Sequence, residues 1–150
     1  MEKITWTTKA FTNLTVDEYF EILHLRTAVF VVEQNCPYQE VDEKDRKSFH
    51  LFGKAENGEV IAVTRILPKG VSYDEISVGR VALKKEFRGK GIADTLMLET
   101  FKFIEKEFEN QPVRISAQEY LLNYYSKHGF KQVGKGYLED DIPHIEMLKS

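Results

Sequence analysis

Residues 76–93 constrain the chain more than any other stretch. They open as a strand, with Ile76, Val78, Val81 and Leu83 as its apolar residues and Gly79 inside the run. A glycine in that position marks a bulge or a close backbone approach. A short loop rich in glycine and cations follows, and from Gly91 onward the apolar period lengthens. Ala93, Met97, Thr100, Ile104 and Phe108 fall at helical spacing, with Ile92 and Leu96 beside them. A glycine-rich turn feeding a helix leaves backbone N–H groups unpaired at the positive end of the helix dipole. That place suits a phosphate or diphosphate, and Arg88 and Lys90 add cations to it. The plain alternative is a loop between strand and helix with surface charges.

Two common phosphate loops are excluded. The Gly-x-x-x-x-Gly-Lys-Ser/Thr string is absent, and the third glycine or alanine of a dinucleotide fingerprint is replaced by Asp94. What remains is Arg-x-x-Gly-x-Ala, carried by Arg88, Gly91 and Ala93. This resembles the coenzyme A loop of the GNAT superfamily of N-acetyltransferases. Tyr125, Gly129 and Phe130 resemble that family's Tyr-x-x-x-Gly-Phe ending. Arg26, the run to Gln34, Cys36-Pro37-Tyr38, Asp42 and Ile142-Pro143-His144-Ile145 are similar to the ElaA-like branch.

Composition excludes several classes. At 150 residues, with 30% charged and 42% hydrophobic residues, the chain reads as a single domain over 1–150, which the resemblance implies is one GNAT domain. A net charge of -3 argues against a nucleic-acid partner. No apolar run approaches a membrane span, and the first residues lack a signal peptide's apolar core. The single cysteine, Cys36, forbids an internal disulfide and points to the cytoplasm. No metal-ligand spacing appears.

Patterning predicts a strand over 4–11, then a helix opened by the capping box of Thr15 and Glu18. That helix ends among residues 26–32. A polar loop spans 35–45, and Lys44 to Lys47 read as a solvated turn. Strands over 49–54 and 60–67 join through Asn57-Gly58, a strong hairpin signal. After the helix that runs to about 109 come a strand at 113–117, a helix over 120–128 stopped by Gly129, and strands over 130–138 and 144–148. The resemblance supplies the arrangement: an α/β (α+β) fold with a mixed, mostly antiparallel sheet. It implies about seven strands, splayed between the fourth and fifth, and about four helices.

The resemblance also implies the chemistry: direct transfer of an acetyl group from acetyl-CoA to a primary amine, with no metal. The pantetheine arm would pair with the backbone of Val81, Ala82 and Leu83. The diphosphate would lie on the amides of Arg88, Gly89, Lys90, Gly91, Ile92 and Ala93. A bulge near Gly79 to Val81 would aim one N–H at the thioester carbonyl. Tyr125 is the general-acid candidate, while Tyr124, about 100° around the helix, packs. Gln118 stands where many members carry a cofactor-contacting Asn.

For the base, Glu33 follows an apolar run, so its carboxyl could face a cleft with a raised pKa; equally it could end a helix paired with Arg26. His144 is the other candidate. Gln34, Asp42, Arg80 and His144 are the acceptor-side residues, with Asp42 equally readable as a solvated acid. Arg65 and Arg80 could bind a carboxylate or pair with acids. His50 reads as facing outward and Cys36 as an ordinary thiol. A non-catalytic acyl-CoA-binding module is the competing reading, and a homodimer fits an exposed sheet edge.

Overall fold

The computed structural model describes residues 3–109 and 111–150; Met1, Glu2 and Asn110 lie outside them. Among the described residues the chain forms eight strands and three α-helices. In order these are β1 (Thr5–Ala10), α1 (Val16–Thr27), β2 (Phe49–Lys54), β3 (Val60–Leu67), β4 (Ile76–Leu83) and α2 (Ile92–Phe108). They continue with β5 (Val113–Gln118), α3 (Leu122–Lys127), β6 (Lys131–Gln132), β7 (Tyr137–Glu139) and β8 (Ile142–Lys149). The strands make one sheet in the order β1-β2-β3-β4-β5-β8-β6, with β7 also on β8. Only β4 and β5 are parallel.

Local chemistry accounts for the boundaries. Thr15 and Glu18 form the reciprocal capping box, with Glu18 N–H donating to Thr15 Oγ1 at 3.0 Å and Thr15 N–H to Glu18 Oε1 at 2.8 Å. Gly129 ends α3 with φ +92°, a conformation that costs an L side chain. The expected strand over 130–138 is instead two short ones, β6 and β7, with Gly134 and Gly136 between them. No fourth α-helix forms among the described residues. After α1 the chain widens into a π turn over Ala28–Glu33, and Glu43–Lys47 is a single 3-10 turn.

The sheet is covered on both faces. Thr64 Oγ1 meets Thr100 Oγ1 of α2 at 3.0 Å, whereas its neighbour Val63 packs with Ile22 and Leu25 of α1. Adjacent strand residues face opposite sides, so α1 and α2 sandwich β3, which is buried throughout. Among the described residues no helix is long and apolar enough to cross a membrane.

Two irregularities position the site. First, β4 and β5 pair only at Ile76–Val113 and Ser77–Arg114 and then part. From Val78 to Leu83 that edge of β4 therefore has no strand partner. Second, Arg65 pairs with Gly79 and Val63 with Ala82, so Thr64 alone opposes both Arg80 and Val81. This is a bulge at the predicted place. Its left-handed residue is Arg80, φ +50°, and not the neighbouring glycine.

Candidate active site

The turn between β4 and α2 has the conformation that anion cradles use. Gly89 and Gly91 take φ +78° and +79°, and Gly91 precedes the first turn of α2 without a capping side chain. The first N–H groups of a 17-residue helix are thus left facing outward beside Lys90. Arg88 Nε donates to Leu83 O at 3.1 Å, and its two terminal nitrogens hold the Glu33 carboxylate at 2.5 and 2.9 Å.

That pair corrects one expectation. Glu33 does not sit in a cleft with a raised pKa. Its side chain is 39% exposed, and the hydrogen bond from Arg88 holds its carboxyl below the ordinary range. The π turn carries Glu33 past the cleft and across to the cationic loop, where its partner is Arg88 and not Arg26.

A cavity of about 260 Å³ opens where β4 and β5 part. Its walls are Val78 to Val81 of β4, Ile115 to Gln118 of β5, Phe30 of the π turn and Gln34 just after it, and Tyr125, Glu139 and His144. Of the predicted residues, Tyr125, Gln118, Gln34, Arg80, Val81 and His144 come together here. Leu83 and the turn lie further along β4, while the Ala82 and Ile92 side chains are buried in the core. Asp42 is off the cavity wall, accepting from Arg65 Nη1 at 2.7 Å. Cys36 lines the cavity, its thiol 3.7 Å from Asp140 O.

Tyr125 is 8% exposed and lines the cavity. Burial pushes its phenol up to about 12, so it carries its proton at any working pH. Tyr124 packs, its ring 5.0 Å from His128 and 5.4 Å from Tyr125. His144 stands on β8 with Nδ1 2.7 Å from Ile142 O. A carbonyl only accepts, so Nδ1 carries the hydrogen and Nε2 keeps the lone pair. Glu139 Oε2 lies 3.6 Å from Nε2, placed to steady an imidazolium once one forms.

Behind the cavity lies a charged cluster that sequence reasoning missed. Arg26 is wholly buried; Nε donates to Glu40 Oε2 at 2.7 Å and Nη1 to Asp45 Oδ1 at 3.0 Å. Arg65 Nη1 donates to the same Asp45 oxygen at 2.8 Å, and Tyr19 to Asp45 Oδ2 at 2.5 Å. Arg80 Nε donates to Glu40 Oε2 at 2.8 Å, with its guanidinium 5.9 Å from both the Phe30 and Tyr38 rings. Arg65 and Arg80 thus pair with acids.

Two expectations fail here. Asp45, read as part of a solvated turn, is 1% exposed, and His50, read as facing outward, is buried with Nε2 2.9 Å from Asp45 O. Asp45 is held inward by Arg26 and Arg65, and His50 by the Asp45 carbonyl. The signal was available in α1: Arg26 shares the i, i+3 and i+4 stripe of Ile22 and Val29, so its charge had to be buried and matched.

Comparison with known proteins agrees with this architecture. An acetyltransferase (GNAT) domain model matches residues 13–150. A UPF0039 protein of Schizosaccharomyces pombe is 39% identical over 148 residues, 98% of this chain and 97% of that one. Protein ElaA of Escherichia coli is 37% identical over 148 residues, 97% of this chain and 96% of its own, and its crystal structure superposes with a TM-score of 0.92. The crystal structure of an acyl-CoA N-acyltransferase from Pseudomonas aeruginosa superposes at 0.94, with 40% identity over 99% of this chain and 100% of that one. With the splayed sheet, the strand bulge and full-length relatives in agreement, this chain belongs to the GNAT acetyltransferase family.

Proposed function

We propose that the protein moves an acetyl group from acetyl-CoA directly to a primary amine. The observation that carries this reading is the unpaired edge of β4, followed after a short 3-10 turn at Lys85–Phe87 by the glycine–cation turn at the head of α2. An extended arm can add to that edge as a strand does, and the turn's amides suit a diphosphate at the arm's end. The family uses acyl-CoA donors, and the Pseudomonas aeruginosa relative is described as an acyl-CoA N-acyltransferase.

The donor supplies a carbonyl activated by its bond to sulfur. The chain's own residues do the rest. Backbone of Val81 to Leu83 holds the arm, and an N–H at the Arg80–Val81 bulge is the fixed donor for the developing oxyanion. His144 Nε2 takes the proton from the attacking nitrogen as the C–N bond forms. As the C–S bond breaks, Tyr125 donates a hydrogen bond to the departing sulfur. A phenol at about 12 is a weaker acid than a thiol near 8.5, so its help is hydrogen bonding more than full transfer. Tyr125→Phe is therefore expected to lower kcat by about 10–100-fold, below the usual range of general-acid effects, with coenzyme A binding unchanged. Steady-state kinetics and calorimetry check both halves.

Thiol release from acetyl-CoA in the presence of a library of primary amines tests the activity itself. Release that depends on the amine is expected. Binding without release on every amine would instead make the protein an acyl-CoA-binding module.

Glu33 offers a further check on the donor site. Because it holds the guanidinium of Arg88, Glu33→Gln should free that cation and tighten coenzyme A binding about two- to fivefold, the modest scale of an exposed ion pair. Its kcat should not change; a fall of about a hundredfold would restore Glu33 as the base.

A further inference from the structure

Gly79 is a glycine that the fold does not need. Its φ is not left-handed, since the bulge places that conformation on Arg80. A Cβ built on Gly79 meets no atom within 4 Å. Gly53 shows the contrast: there a Cβ would stand 2.6–2.9 Å from Trp6 and Ile4, and packing alone requires glycine. A glycine inside a strand also weakens it, because the unfolded chain gains freedom and no side chain packs. By local stability, almost any small residue at 79 should serve better.

Gly79 is, however, part of the cavity wall, one residue before the bulge. Its cross-strand partner is Arg65, so a side chain at 79 would rise from the same sheet face as Arg65, the face that α1 covers. That direction differs from the open edge of β4, which lies in the plane of the sheet and faces β5. The donor arm needs the edge; the space above Gly79 opens on the face of Arg65, into the cavity that Gly79 itself lines.

Resting on the acetyl-transfer reading, we propose that Gly79 is kept bare for the acceptor. It sets how much bulk the amine carries on the carbon next to its reacting nitrogen, and it selects primary amines that are unbranched there.

The test uses the full chain with Gly79→Ala and Gly79→Val. Thiol release from acetyl-CoA is followed with hexylamine and benzylamine, each against its α-methyl analogue. Wild type is expected to prefer the unbranched member of each pair. Gly79→Ala should melt at the same temperature or up to about 3 °C higher, because alanine restricts the unfolded chain. Its coenzyme A affinity should stay within about twofold, while kcat/KM falls at least about tenfold, as misplacement at a reacting centre does. The α-methyl amines should lose more, and Gly79→Val more again. Turnover within twofold of wild type on all four amines overturns the inference. A lowered melting temperature, or coenzyme A affinity falling in step with turnover, overturns it too, because the glycine then serves the strand or the donor. A wild type that releases no thiol with any amine removes the acyl-transfer reading and this one together. An active wild type beside an unimpaired Gly79→Ala removes only this one.

Discussion

His144→Asn lowers kcat/KM by about 10²–10⁴-fold, the range of a lost general base, and leaves coenzyme A affinity within about a factor of two. Asparagine keeps a donor for the carbonyl of Ile142, now 2.7 Å from Nδ1, so the backbone of β8 is not left with a new unpaired group. What disappears is the lone pair at Nε2. The base matters more than the acid in this reaction. A thiolate departs tolerably without a proton, whereas an alkylamine with a pKa of ~10 is mostly ammonium at neutral pH and cannot attack. The split between rate and binding separates this role from a structural one: kcat falls while coenzyme A affinity and melting temperature hold. A rate within tenfold of wild type would mean that water alone takes the proton.

The fold was legible because its informative stretches are local. Asn57-Gly58 makes the hairpin with Gly58 at φ +87°, Thr15 caps α1, and the change of period at Gly91 marks the start of α2. Each signal is read within a few residues. The splay between β4 and β5 has no such signal, since it depends on how two distant strands cease to pair, and the resemblance alone supplied it. Charge assignments fared worst. Whether Asp45 faces water depends on whether an arginine from another element reaches it, and Arg26 and Asp45 are 19 residues apart; His50 follows because it bonds the Asp45 carbonyl. Glu33 shows the same limit: an apolar run suggested burial, but the partner that set its ionisation, Arg88, lies 55 residues away. For His144 the sequence offered a candidate; only the bond to Ile142 O says which nitrogen is free.

Asp45→Ala is expected to destabilise the protein by about 3–5 kcal/mol, the cost of stranding a buried charge, which for a chain of this length lowers the melting temperature by roughly 10 °C or more. One carboxylate here accepts from Arg26, Arg65 and Tyr19, and Arg26 has no exposed surface through which water could replace it. Removing the partner costs far more than the intact cluster contributes, because the guanidinium stays where it is. Acid unfolding gives an independent reading. Burial opposes the charge on Asp45, but the Arg26 cation and the hydrogen bonds from Tyr19 and Arg65 outweigh it, so the folded pKa lies below the ordinary one. Its stabilisation is therefore complete above the unfolded value of ~3.9 and lost as pH falls through the folded pKa. Asp45→Asn removes that contribution, so its stability curve should lie below wild type at neutral pH and begin to approach it only below about pH 4, as pH falls through the folded pKa. His50 acts in a separate window. Desolvation lowers its pKa in the fold, so protonation favours the unfolded chain, and stability declines as pH drops from about 6.5 toward the folded value. That decline should persist in Asp45→Asn, whose side chain leaves the carbonyl bonded to His50 Nε2 in place. Chemical denaturation from about pH 8 down through the acid transition follows the two steps. A melting temperature for Asp45→Ala within about 3 °C of wild type would mean that Arg26 finds another acceptor, and that Glu40 alone can neutralise the cluster.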